Sequence, residues 1–342
     1  MRNRPEQRVR RARAILWGVA LVLMAGCSRG PRDAGAPGAD TAKPTEVTLL
    51  LNWFPEAEHG GFFAAEVHGY YAEEGLKVTI VPGGPGASVV ARVATGAATF
   101  GVENADVLLL ARSEEAAVKA VMAPIQKHPR CIMVHEESGI KSLRELRDVT
   151  LAMNAGGAFS HYLKKHVPLT GVKIVPYPGN VARFVADKRS AQQAYVFSEP
   201  FLAAKQGARP RSLLLSDIGF NPYTSCLIVS EQVLRDQRDV VRRMVRASVR
   251  GWEQYLKDPA ATHKRIAELN PEMGEDVLEF GWKALKAFIV PDDPRRGGIG
   301  SMRSERWAEL RDQLVEIGLI AKDKVRAEDA FTTEFLARSD PG

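Results

Sequence analysis

From residue 47 onward the chain alternates short β-branched runs with stretches of helical spacing, in two successive rounds. The first round has strand-like segments at 47–53, 78–81, 98–102 and 118–123, with helical spacing over 62–71, 88–95 and 106–112 between them. The second has strand-like segments at 131–134, 149–153, 172–176, 193–197 and 225–229, with helical stretches at 159–166 and 181–188. Ser142-Leu143-Arg144-Glu145 has the form of a capping box and predicts a further helix start. Beyond residue 230 the pattern becomes helical. One long helix is expected over 231–257 with Ser230 as its cap, then helices at 260–269, 275–288 and 305–317. Such alternation predicts an α/β fold, with mainly parallel sheets and helices on both faces. Ligands in these folds sit beyond the carboxyl ends of the strands. The loops 52–61, 82–88, 103–106, 154–157 and 198–200 are therefore where function is expected.

The first 27 residues impose a different constraint. Six arginines precede an apolar stretch over 14–26, which ends Leu23-Met24-Ala25-Gly26-Cys27. This is the pattern of a bacterial lipoprotein leader, in which Cys27 is the lipidated residue. The 13 apolar residues are too few for a membrane span, which needs about 20. Residues 28–44, rich in Gly, Pro, Ala and Asp, are expected to form a flexible tether. The expected address is outside the cytoplasmic membrane, anchored by lipid.

The leader also explains the charge. The whole chain carries a formal +6, of which residues 1–27 supply +5, so the remainder is near neutral. A nucleic-acid partner gains no support from that balance. The length beyond the tether suits two lobes of roughly 150 residues each. Cys131 and Cys226 each open an apolar strand, and they are expected to lie near each other at the crossings between lobes. Export permits a disulfide, but two buried thiols are the expectation.

Motifs with a catalytic mechanism are absent from the sequence: no phosphate-binding Gly-rich loop ending in Lys, no Gly-x-Ser-x-Gly, no His-Glu-x-x-His, no Cys-x-x-Cys. Ser160, His161 and Asp187 have no triad-like spacing. Glu56, Glu58, His59, Glu66 and His68 could be drawn into a metal site, but they read as a polar loop and a solvated helix face. Gly83-Gly84-Pro85-Gly86 is a turn, or a loop whose amides could face an anion. Trp53 and Glu199 stand apart. At a strand end, an indole is either a stacking wall or a core residue. At a strand–helix junction, a carboxylate either accepts from ligand N–H groups or caps the helix.

Three blocks then carry a resemblance. Asn52-Trp53-Phe54-Pro55, the run from His59 through Gly60-Gly61-Phe62-Phe63 to Ala65, and the run from Gly69-Tyr70-Tyr71 to Gly75-Leu76-Lys77-Val78 resemble the opening of the NMT1/THI5-like (SsuA/THI5) family. The likeness continues through 96–104, through 195–207 with Glu199-Pro200, and into the tail at Trp307, Leu314, Gly318-Leu319-Ile320 and 331–336.

The resemblance implies the two-lobed type II periplasmic-binding-protein fold, with a two-strand hinge and a ligand cleft. Lobe one is expected to comprise 45–127 and 225–342, and lobe two 128–224. It implies a solute-binding lipoprotein, expected as a monomer, that hands a small molecule to an ABC permease and needs neither cofactor nor metal. For the members most similar to this opening, the ligand is a thiamine-precursor aminopyrimidine. Trp53 and Glu199 then match the stacking wall and the carboxylate, with His59, Asn104 and Asn154 as further ligand residues. The alternative ligand is a sulfonate, nitrate or other small anion, for which an arginine or bare helix N-termini would be expected. The alternative class is the fungal-type pyrimidine synthase. That enzyme needs a lysine, a histidine and a cysteine-rich run, whereas 103–109 holds neither Lys nor His and Asn221-Pro222-Tyr223-Thr224-Ser225-Cys226 stands in place of the cysteines.

Overall fold

Among the described residues the alternation resolves into ten strands in two five-stranded sheets. The computed structural model describes residues 43–289 and 297–336; the leader, Cys27 and nearly all of the tether lie outside them. The strands are β1 (Thr45–Leu50), β2 (Leu76–Val81), β3 (Phe100–Glu103), β4 (Val118–Met122), β5 (Arg130–His135), β6 (Thr150–Ala152), β7 (Lys173–Val175), β8 (Ser190–Tyr195), β9 (Pro210–Leu214) and β10 (Cys226–Ser230). The first sheet runs β2-β1-β3-β10-β4 and the second β7-β6-β8-β5-β9. Each is parallel but for one antiparallel strand: β10 between β3 and β4, and β5 between β8 and β9. Each odd strand is the first that the chain lays down after crossing from the other sheet. Both halves of the molecule thus repeat one topology.

The chain crosses between sheets twice, and the two crossings are bonded together. Ile125 and Thr224 form a β-bridge in which Thr224 N donates to Ile125 O at 3.3 Å. His128 N donates to Asn221 Oδ1 at 2.7 Å, and the His128 ring meets Thr224 Oγ1 at 2.7 Å. Burial, with the Arg130 and Arg306 charges adding, pushes the His128 pKa well down, so this hinge pin is a neutral imidazole.

Strand alternation sorts the core into three clusters. Leu50, Val93, Leu108, Phe220, Tyr223, Ile132, Leu151 and Phe159 form one that runs from the first sheet past the crossings to the second. Leu49, Phe62, Phe63, Trp252 and Tyr255 fill the other face of the first sheet. Cys131, Met133, Phe184 and Ala194 fill the other face of the second. The two cysteines are therefore free buried thiols in different clusters.

Two glycines set how closely the helix Gly60–Val67 approaches the helix Arg238–Lys257. A Cβ on Gly60 would sit 2.1 Å from the Tyr255 ring, and one on Gly61 2.1 Å from the Trp252 ring. Gly251 on the facing helix has the same restriction, with Gly61 O 2.2 Å from its Cβ position.

Some elements differ from the sequence reading. Leu143–Glu145 is a single 3-10 turn; Ser142 makes no cap bond, and Glu145 Oε2 instead accepts from Lys141 N at 2.9 Å. The expected helix over 231–257 is two, Glu231–Asp236 and Arg238–Lys257, divided at Gln237 (φ −133°, ψ 40°). Ser230 does cap the first, accepting from Val233 N at 3.2 Å. Strand β9 has no counterpart in the sequence reading.

A candidate ligand cleft between the two sheets

The carboxyl ends of β1, β3, β7 and β8 and the start of β5 converge beside the crossings. The loop leaving β1 carries Asn52, Trp53, Glu56, Glu58 and His59; β3 ends in Glu103 and Asn104; β8 leads to Ser198 and Glu199. The two sides touch directly. Asn104 Nδ2 donates to Tyr195 OH across the gap at 3.1 Å, and Asn104 Oδ1 accepts from Ser225 N at 3.2 Å. Ser225 Oγ in turn donates to Glu58 Oε2 at 3.2 Å.

Glu199 is the first residue of the helix Glu199–Lys205, yet its carboxylate does not cap that helix. Oε2 accepts from Tyr195 N at 2.8 Å and Oε1 from Tyr177 OH at 2.9 Å. Burial and the Glu199 charge push the Tyr177 hydroxyl pKa up, so it stays protonated and donates. The carboxylate is thus held on two fixed donors, in the orientation the strand end dictates.

Glu56, Glu58 and His59 are 6%, 1% and 0% exposed, so the loop read as polar and solvated is buried. The reason lies in packing. Ser198 and Glu199 face Glu56 from the second lobe, and the helix Glu275–Ile289 closes over Ala57. Gly281 on that helix has room for no side chain, since a Cβ would lie 2.8 Å from both Ala57 Cβ and Phe197 O. Burial pushes the Glu56 pKa well up, with the Glu58 and Glu199 charges adding to it, against Ser198 and Arg130. Burial likewise raises Glu58 to about 7, and Ser225 and Arg130 oppose it. Glu103 rises to about 8 and Asp106 also rises, both chiefly through burial. His59 falls to about 3 by burial alone. It is therefore neutral, and its Nε2 is 2.9 Å from Asn52 Oδ1.

Trp53 is half-buried on the loop leaving β1, edge-on to Phe54 with ring centroids 5.5 Å apart. The Gly-rich loop explains its placement. Gly83 N donates to Trp53 O at 3.0 Å, and a Cβ on Gly83 would lie 2.0 Å from Leu51 O. The loop is a positioning turn, and this amide is not free for an anion. Asn154 is exposed, with Oδ1 accepting from Gly156 N at 3.1 Å, while its backbone N donates to Gln193 Oε1 at 2.6 Å. Of the five residues expected from sequence, Asn104 and Glu199 join one network through Tyr195. His59 is enclosed behind Asn52, and Trp53 and Asn154 stand on separate loops.

The sequence reading missed Tyr177, Tyr195, Asp106 and Arg130. Arg130 opens β5, and its guanidinium carbon stands 4.1 Å from the Tyr195 ring centroid and 4.9 Å from that of Phe159. Burial works against its charge, but Tyr195, Glu199, Asp106 and Tyr177 hold its pKa above the ordinary arginine value. A charged residue at the mouth of an otherwise apolar strand was the available signal.

Other chemistry is not assembled. Ser160 Oγ donates to Gly157 O and Asp187 accepts from Arg189 N, so no triad forms. Glu66 pairs with Arg265, and among the described residues no group of three or more His, Cys, Asp or Glu is placed to hold a metal. A separate crevice of about 410 Å³, lined by Lys127, Asp217, Asn221, Phe288, Arg303 and Arg306, shares none of the cleft residues. Arg306 there is already engaged by Asn221 O and Oδ1. No helix among the described residues is long and apolar enough to cross a membrane.

Comparison with known proteins agrees with this architecture. The chain is 25% identical over 346 residues to the riboflavin-binding protein RibY of Chloroflexus aurantiacus, covering 95% of this chain and 97% of the other. It is 23% identical over 325 residues to the formylaminopyrimidine-binding protein of Halalkalibacterium halodurans, covering 92% and 96%. A 4-amino-5-hydroxymethyl-2-methylpyrimidine phosphate synthase of Saccharomyces cerevisiae is 24% identical over 318 residues, covering 86% and 89%. The alkanesulfonate-binding protein SsuA of Xanthomonas axonopodis, solved with MOPS, superposes with a TM-score of 0.63 at 16% identity, over 85% of this chain and 99% of that one. This likeness shows the periplasmic-binding-protein fold. The family described as "NMT1/THI5 like" matches residues 56–262, and the chain belongs to it.

Proposed function

We propose that this protein is the extracytoplasmic solute-binding component of an ABC importer and that its cleft takes a small nitrogen heterocycle bearing an amine, of the aminopyrimidine type. The lobes would be 45–127 with 225–342, and 128–224, closing on the ligand about the paired crossings. Lipid on Cys27 would hold it at the membrane. The observation that carries the ligand class is the Glu199 carboxylate, fixed by Tyr177 and Tyr195 N and not spent on its helix. A ligand amine can donate to the lone pairs that remain. Glu56, Glu58 and Glu103 lie near the same site, and burial raises the pKa of each. Trp53 would supply the stacking wall and the exposed Asn154 a further polar contact, while Asn104 and the enclosed His59 would act by positioning Tyr195 and Asn52. The relatives that bind formylaminopyrimidine and riboflavin support a heterocycle over a sulfonate.

A synthase role has less support. It requires a lysine and histidine near 103–109, where this chain has none, and His59 is enclosed. The test is calorimetric titration of the purified protein with aminopyrimidines, riboflavin and an alkanesulfonate. Binding of an aminopyrimidine without turnover is expected. Binding of the alkanesulfonate alone would overturn the reading.

A further inference from the structure

Arg130 is idle, whereas Arg112 and Arg306, also partly buried, are employed. Arg112 donates to Val118 O at 2.6 Å and to Glu231 at 2.9 Å. Arg306 donates three times to Asn221. Arg130, by contrast, makes no ion pair and donates no side-chain hydrogen bond among the described residues, and its Nε is buried without a partner. What it does have is aromatic contact, from Tyr195 on its own sheet and Phe159 on the helix Ala158–His166. Stacking occupies the faces of a planar guanidinium and leaves its N–H edge. Nε is shut away with nothing to donate to, which is costly, while the terminal N–H groups keep access to the space beside them and can meet an incoming acceptor. The neighbouring carboxylates of Glu199 and Asp106 hold the charge in place without bonding to it.

We infer that Arg130 is a specificity residue for the cleft ligand: its guanidinium edge receives an oxygen acceptor, carbonyl or anionic, on the same ligand whose amine edge is read by Glu199. This rests on the solute-binding reading above and adds to it. The ligand is then bipolar, with N–H donors at one end and an oxygen at the other. A pyrimidine carrying only amines would leave Arg130 unsatisfied and bind less well than its formylated or phosphorylated counterpart. The formyl compound presents a carbonyl and the phosphate an anion, so the two separate the possible sources of the oxygen.

The experiment is titration of the full-length protein, wild type and Arg130→Met, with 4-amino-5-aminomethyl-2-methylpyrimidine, its N-formyl derivative, and 4-amino-5-hydroxymethyl-2-methylpyrimidine phosphate. The wild type should prefer one of the two oxygen-bearing compounds. Arg130→Met should lose roughly ten- to a hundredfold for that compound and stay within about twofold for the diamine. An equal loss for all three, or none, overturns the proposal. If Arg130→Met does not fold, Arg130→Lys carries the comparison, because it keeps the charge but loses the planar fork. If the wild type binds none of the three, the aminopyrimidine reading falls, and the melting temperature decides the role of Arg130. An arginine awaiting a ligand can be replaced by Met with a change within about 2 °C or a rise. An arginine that balances the acidic cleft would cost roughly 8 °C or more, and that result overturns the proposal.

Discussion

At the scale of single residues, the proposed ligand site has its main acceptor fixed in the structure. Glu199 is held by one main-chain donor and one phenol, neither of which can rotate away freely. Exchanging it for Gln keeps the shape but turns one oxygen into a donor facing Tyr177 or Tyr195 N. Glu199→Gln should weaken ligand binding by about 1.5–3 kcal/mol, and Trp53→Ala by a similar amount through lost stacking area. Folding should change little in either. Calorimetry on both variants checks this, and unchanged affinity in Glu199→Gln would return that residue to a structural role. Glu199 was legible because a carboxylate at a strand–helix junction stands out locally. The burial of Glu56 and Glu58 was not, because it is imposed by the second lobe and by the helix Glu275–Ile289, over 100 residues away. Tyr177 stayed hidden for the same reason, since nothing local marks a side chain that only the assembled cleft gives a role, and the one local sign of Arg130 was a charge at the start of an apolar strand.

At the scale of elements, the helix Gly60–Val67 is the part that joins site to core. Its first residues carry the buried loop, and its glycines lie against Trp252 and Tyr255. Gly61→Ala forces a Cβ into the indole and should destabilise the protein by about 1–3 kcal/mol or more. Gly69, at φ +76° with open space around it, should cost only about 1 kcal/mol when replaced by Ala. Urea unfolding of the two variants makes the comparison, and a Gly61→Ala variant no weaker than Gly69→Ala would contradict the packing account. Periodicity found the buried strands well, since β10 is enclosed along its whole length and reads as an apolar run. It missed β9, which begins at a proline on a sheet edge and buries only Leu213. It overran at Gln237 because composition there stays helical while the backbone turns.

At the scale of the whole molecule, closing the lobes gathers carboxyls. Glu58, raised to about 7 against an ordinary 4.5, takes up a proton on folding between those values. Its contribution to stability is complete below about pH 4.5 and is lost as pH rises through 7. The unliganded protein should therefore lose about 2–3 kcal/mol between pH 5 and pH 8 on account of Glu58, with Glu56, Glu103 and Asp106 shifting in the same direction. Melting curves across that range should show the decline, and Glu58→Gln should flatten it; an equal slope in both proteins would show that Glu58 is not its source. The repeated topology has a further consequence, for the order in which the chain can be finished. Strand β10 lies between β3 and β4, yet it is made only after all five strands of the other sheet. Once the chain has been made as far as β9, the second lobe has all five of its strands available while the first still has a gap one strand wide. The facing edges of β3 and β4 then stand unpaired, a template for wrong pairing. The unfinished first lobe, rather than the finished protein, is where this chain is most exposed to wrong pairing.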